Sequence, residues 1–256
     1  MWDRVSFKAV GKVNFKANYW PCIAVSLLLA LLIGNAFTLN IGSYSSDFSN
    51  LIHACRTYGI HTGEDLSYVI QCAFNLLLPA VASGTLLSLA ISLLVANPFE
   101  VGASRFFLES TSFHPARFSR VSLGFTGNFG NVVLTQFLRN LFIFLWSLLF
   151  LIPGIVRSYG YFAVPYILSE NPSMPYKQAL DLSRSMTMGY KGDIFITDLS
   201  FLGWHFLSAL TFGILGVFYV SPYICATNAE IYRFLRAKAI EQGIASPEEL
   251  PGMGSL

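Results

Sequence analysis

Four ionisable side chains set in apolar stretches are where this chain could do chemistry: Arg139, Arg157, Asp198 and His205. A charge in hydrocarbon costs about 2.5–3.5 kcal/mol on insertion scales, so each needs a partner, water or a task. Arg139 and Asp198 lie at similar depths in their stretches, measured from the same end, which predicts that they pair or share one polar pocket. Such a pair would fix helix register or line a transport or proton path. Arg157 is expected to reach back toward headgroups. His205, beside Trp204, is read as a neutral hydrogen-bonded imidazole or a pH-sensitive group. With Ser200 or Ser208 it is also the one combination in an apolar stretch that puts a hydroxyl near a base.

A second group is regular rather than isolated. Arg4, Lys8, Lys12 and Lys16 recur every fourth residue and form one basic stripe on a helix, with Trp2, Ala9, Val10, Val13 and Ala17 opposite. A basic face with an apolar back suits anionic lipid at a bilayer surface. The same charges would hold the N-terminus in the cytoplasm.

Enzymatic signatures are absent. The chain contains no G-x-S-x-G, no H-E-x-x-H, no phosphate-binding glycine loop and no dinucleotide fingerprint. His53, Cys55 and His61 stand close in sequence but match no zinc spacing, and Cys22, Cys55, Cys72 and Cys225 form no C-x-x-C pair. No catalytic, metal or cofactor site is assigned, and the chain is read as non-enzymatic. It has no basic stripe of the kind nucleic acid requires.

These residues must be positioned by helices that cross a bilayer. Of the 256 residues 54% are hydrophobic and only 12% charged, against roughly 25% charged in soluble domains. Six apolar stretches, each near the ~20 residues a span requires, use most of the length. The expected fold is therefore all-α and polytopic: six transmembrane helices as three hairpins, with cytoplasmic amphipathic interfacial helices between them. One integral membrane domain is expected over residues 1–240. It comprises an interfacial helix (1–18), hairpin one (21–96), a cytoplasmic interfacial segment (97–131), hairpin two (132–168), an amphipathic helix (175–190) and hairpin three (194–231). Residues 241–256 read as a flexible cytoplasmic tail.

Local signals refine this plan. Pro79 predicts a kink in the second span, beside a small-residue face of Ala80, Ser83, Gly84 and Ser88. Pro153-Gly154 predicts the reversal of hairpin two, and Gly213 that of hairpin three. In the helix 175–190, Lys177, Asp181 and Arg184 share one face while Tyr176, Ala179, Leu182 and Met186 share the other. All but three of the 16 Lys and Arg residues fall on one side of the six spans, the exceptions being Arg56, Arg139 and Arg157. The positive-inside rule then places both termini in the cytoplasm. Aromatic-Gly-Asn/Asp segments before each hairpin, and Asn97-Pro98, Asn171-Pro172 and Ser221-Pro222 after them, suggest three copies of one unit.

The run from Arg157 to Leu235, opening RSYGYFAVPYILSENPSMPYKQALDLSRS, together with NYWP, ANPFEVGASRFFL and LFLIPGIVRSY, resembles an uncharacterised family of bacterial integral membrane proteins, domain of unknown function 975. The resemblance runs from the N-terminal helix to about Ala239. It implies a multi-pass protein of the bacterial plasma membrane and brings no reaction, ligand or catalytic residue. The function expected is interaction with lipid, anionic at the cytoplasmic face, with other membrane proteins, or with a second copy of the chain. The alternative is a small permease or export component with Arg139, Asp198 and His205 along a polar path.

Overall fold

In the computed structural model, which describes residues 2–32, 91–112, 116, 118–126 and 128–252, every regular element is helical. Most of hairpin one lies outside the described residues, with His53, Cys55, His61, Cys72, Pro79 and the small-residue face. The chain divides into two compact units where one domain was expected: Met1–Ala30 with Asn97–Leu256, and Leu31–Ala96. Little of the second unit is described beyond a π-helical turn over Ser92–Ala96.

The first unit begins with α1 (Arg4–Ala17), started by the Asp3 side chain, which accepts a hydrogen bond from the Val5 amide. At Asn18 the chain bends by 102° into α2 (Tyr19–Leu32). A surface helix set nearly at right angles to a spanning one would have this shape. The packing face of α1 is Gly11, Asn14 and Phe15, pressed on the helix α10 (Ser221–Glu241). Any side chain at Gly11 would meet the Thr227 backbone at 3.0 Å, so glycine is what allows the two helices to approach this closely.

The core is built around α3 (Asn97–Ser110), in which every residue but Glu100 is buried. The sequence reading placed 97–131 at the bilayer surface. Within that segment α3 is enclosed by protein: Phe99, Val101, Ala103, Phe106, Phe107 and Leu108 leave too little polar surface for an exposed helix. A 3₁₀ segment over Phe118–Phe125, α10 and two other helices enclose it.

Hairpin two consists of α4 (Phe129–Leu149) followed by α5 (Leu151–Gly160) and α6 (Val164–Glu170). It reverses at Phe150, whose backbone is extended, and not at Pro153-Gly154. Those two residues lie in the first turn of α5, where proline fits because that turn needs no amide donor. Then comes α7 (Tyr176–Met186), with Ala179, Leu182 and Met186 buried as expected and Tyr176 exposed.

Hairpin three rises through α8 (Lys191–Leu199) and α9 (Leu202–Leu210), two nine-residue helices broken at Ser200-Phe201. It turns at Phe212 and Gly213, with φ of 52° and 83°, a left-handed pair that explains the glycine. It descends through a π turn (Gly216–Val220) into α10. Pro222 follows this turn as Pro98 follows the π turn at Ser92–Ala96. A proline ring crowds the carbonyl four residues back, and a widened turn relieves that crowding. Asn171-Pro172 differs, since it follows the end of α6.

Among the described residues, α4 alone is long and apolar enough to cross a membrane, and α1 with α2 qualifies jointly as a bent pair. Residues 241–252 are not the flexible tail expected. Ala245 and Leu250 are buried, and the Gly252 amide donates to Glu170 at 2.9 Å.

Candidate functional site

Arg139 and Asp198 do not pair. Arg139 donates to Glu100 of α3 at 3.0 Å and to Gln136 at 3.1 Å, and Gln136 itself donates to Glu100 at 3.3 Å. Their depths agreed, but depth does not specify which helix stands opposite, and α3 is packed against α4 here. Asp198 sits beside the Tyr159 hydroxyl of α5, with His205 within electrostatic reach. His205 is exposed on α9, and Ser208, one turn on, is largely buried. The three residues of the polar-path reading are thus split between a base cluster and the side of hairpin three. The Arg157 guanidinium stacks over the Trp146 ring at 4.6 Å.

In the N-terminal stripe the four cations have different surroundings. Arg4, Lys12 and Lys16 are exposed. Lys8 turns inward, donating to Ser200 Oγ at 3.0 Å and lying 4.1 Å above the Phe201 ring. Burial, then the nearby Arg4 charge, holds its ammonium below the ordinary lysine value. Ala9, Val10, Val13 and Ala17 are exposed, so the protein leaves the apolar back of α1 uncovered.

Sequence reasoning missed a layer of buried ions in the base of the unit. Arg105 is 0% exposed and bonds Glu109 at 3.4 Å, to which Arg120 also pairs at 3.0 Å. Glu170 pairs with Arg236 at 3.1 Å, and Arg236 also donates to the Leu250 carbonyl. Glu230 accepts from Asn14 of α1 at 2.7 Å and pairs with Arg233 at 3.1 Å. The available signal was an acidic residue beside each Asn-Pro, namely Glu100 and Glu170, and the i,i+4 pair Arg105–Glu109 inside a phenylalanine-rich helix. The helix termini meeting here contribute further bonds, with Asn131 donating to the Pro172 and Met174 carbonyls at 2.8 and 2.7 Å.

A cleft of about 460 Å³ opens between hairpin two and α7, lined by Arg157, Trp146, Tyr176, Lys177, Asp181 and Arg184 among others. Sequence reading put Arg157 on the outer side and the other charges on the inner. Folding gathers them along one groove. Among the described residues no group of His, Cys, Asp and Glu is placed to hold a metal ion.

Residues 148–239 match the family model described as Protein of unknown function (DUF975). The segment, 92 of the 256 residues, is similar to that family, and NYWP and ANPFEVGASRFFL lie outside the match. The DUF975 segment covers the end of hairpin two, α7, hairpin three and most of α10, so it contributes Arg157, Lys177, Arg184 and Asp198 but not Arg139 or the basic stripe. No curated protein and no solved structure matches the chain.

Proposed function

We propose that the protein is an integral membrane protein without enzymatic activity, whose basic interfacial helices engage anionic lipid at the cytoplasmic face. The observation that carries this reading is the distribution of exposed apolar side chains. Phe144, Leu145, Leu148, Leu149, Phe150 and Ile152 around the end of hairpin two are exposed, as are Phe206, Leu210, Phe212 and Ile214 around the end of hairpin three. Phe212 is 98% exposed. Continuous apolar patches of this kind are the exception on soluble monomers and the rule on surfaces that face lipid. Meanwhile the polar groups collect at the opposite ends of the same helices.

In the full six-span version, α4 with its 21 residues extends about 31 Å, enough for a hydrocarbon core of about 30 Å. The Arg139–Glu100 pair then lies in the inner leaflet and the hairpin ends emerge outside. Both termini face the cytoplasm, in a bacterial plasma membrane. A second reading has one observation in its favour: only ten residues separate Arg139 from Leu149, about 15 Å of helix. Hairpins inserted to half depth would keep that ion pair in the headgroup region.

Single cysteines at Phe150 and Phe212, in a chain whose own cysteines are replaced by serine, decide between these. Labelling of intact cells by an impermeant maleimide is expected at both positions. Protection from that reagent on both sides of the membrane would replace six spans by half-depth hairpins, and release of the protein by alkaline carbonate would remove the membrane reading altogether.

A further inference from the structure

We propose that the cleft between hairpin two and α7 binds a net-anionic phosphate ester, with Arg157 and Lys177 as the clamp and Arg184 as an auxiliary cation. Its volume of about 460 Å³ lies in the range of small-ligand sites, roughly 300–1,000 Å³. Three cations and one carboxylate line it, and the carboxylate is engaged: Asp181 holds Arg184 at 3.4 Å. Arg157 and Lys177 form no ion pair with a carboxylate among the described residues. The cleft therefore carries uncompensated positive charge facing an open volume. Arg157 is held in place by its stack on Trp146 at 4.6 Å, so little side-chain freedom is lost when it meets an anion. A guanidinium and an ammonium on two different elements can bracket a phosphate from two sides.

This assignment rests on the membrane reading for the source of the ligand, not for its chemistry. The wall of the cleft is α4, whose exposed Leu145, Leu148 and Leu149 continue beyond it. A phospholipid with its headgroup between Arg157 and Lys177 would lay its chains along those residues. A soluble phosphate ester would use the cations alone.

The test uses the full chain in phosphatidylcholine nanodiscs, with Trp2, Trp20 and Trp204 replaced by phenylalanine so that Trp146 reports on the cleft. Dihexanoyl-phosphatidylglycerol is titrated against dihexanoyl-phosphatidylcholine and glycerol phosphate. Saturable quenching by the phosphatidylglycerol is expected, about tenfold tighter than by phosphatidylcholine, and weakened about tenfold in Arg157→Gln or Lys177→Gln, as loss of one charge-assisted contact implies. Lys177 is exposed, so its variant tests the site without disturbing the core. Asp181→Asn, which frees Arg184, is expected to tighten binding about threefold. Glycerol phosphate binding as tightly as the lipid would support the anion site and assign it to a soluble ester. Equal affinity for the two lipids, unchanged affinity in both charge variants, or no saturable response would overturn the proposal. Carbonate extraction of the same proteins reads the membrane reading separately, because the glycerol phosphate titration stands whether or not the chain spans a bilayer.

Discussion

The base of the unit and the ends of its two described hairpins solve opposite problems with the same helices. In the base, Arg105, Glu109, Glu170 and Glu230 are buried and held by ion pairs, amide donors and carbonyls. At the hairpin ends, Phe150, Phe206, Phe212 and Ile214 are exposed. On the membrane proposal, the hairpins are apolar because of what surrounds them, whereas the base is ordered by polar contacts that keep its helix ends together.

The largest expected effect comes from breaking the base. Glu170→Ala removes the carboxylate that Arg236 and the Gly252 amide share, leaving Arg236 only the Leu250 carbonyl. It should destabilise the protein by about 3–5 kcal/mol in detergent, measured by thermal unfolding, because loss of one partner strands the other charge. A mild effect would mean that the layer is hydrated and that the contrast is weaker than drawn. Next comes the hairpin end. Leu145→Arg should cost about 2.5–3.5 kcal/mol of membrane insertion, seen as a raised carbonate-extractable fraction. The detergent melting point should not move, since Leu145 is 47% exposed. If melting falls and extraction does not change, this surface is a protein contact and not a lipid one.

Smaller effects sharpen the boundary between the two regions. Asn14→Ala removes the bond by which α1 reaches buried Glu230. A loss of about 1–3 kcal/mol is expected, with α1 becoming accessible to proteolysis first. Last, Lys12→Gln and Lys16→Gln should each weaken binding to phosphatidylglycerol vesicles by about fivefold, roughly 1 kcal/mol per surface cation. Lys8→Gln should act mainly on stability, because its ammonium is committed to Ser200 and Phe201.

Some of this was legible beforehand for local reasons. The helix α1, the amphipathic α7 and the reversal at Gly213 all follow from i+4 spacing and glycine acting within a few residues. Hairpin two reversed three residues early because proline serves equally well at a turn and in the first turn of a helix. The partner of Arg139 was not legible, since Glu100 lies 39 positions away and no local spacing links the two.

Composition and periodicity thus determined that the described residues are helical, where α1 and α7 lie, and which face of α7 is apolar. The DUF975 segment was recognisable from its own residues. Only the tertiary structure decided which charges are buried, that α3 is core and not surface, that residues as far as Gly252 fold back onto Glu170, and that Arg157 joins Lys177 and Arg184 in one cleft. The reason is physical. A helix registers its neighbours three and four residues away, whereas the pairing of charges depends on which helices lie side by side, and that is set by packing between segments far apart in the chain.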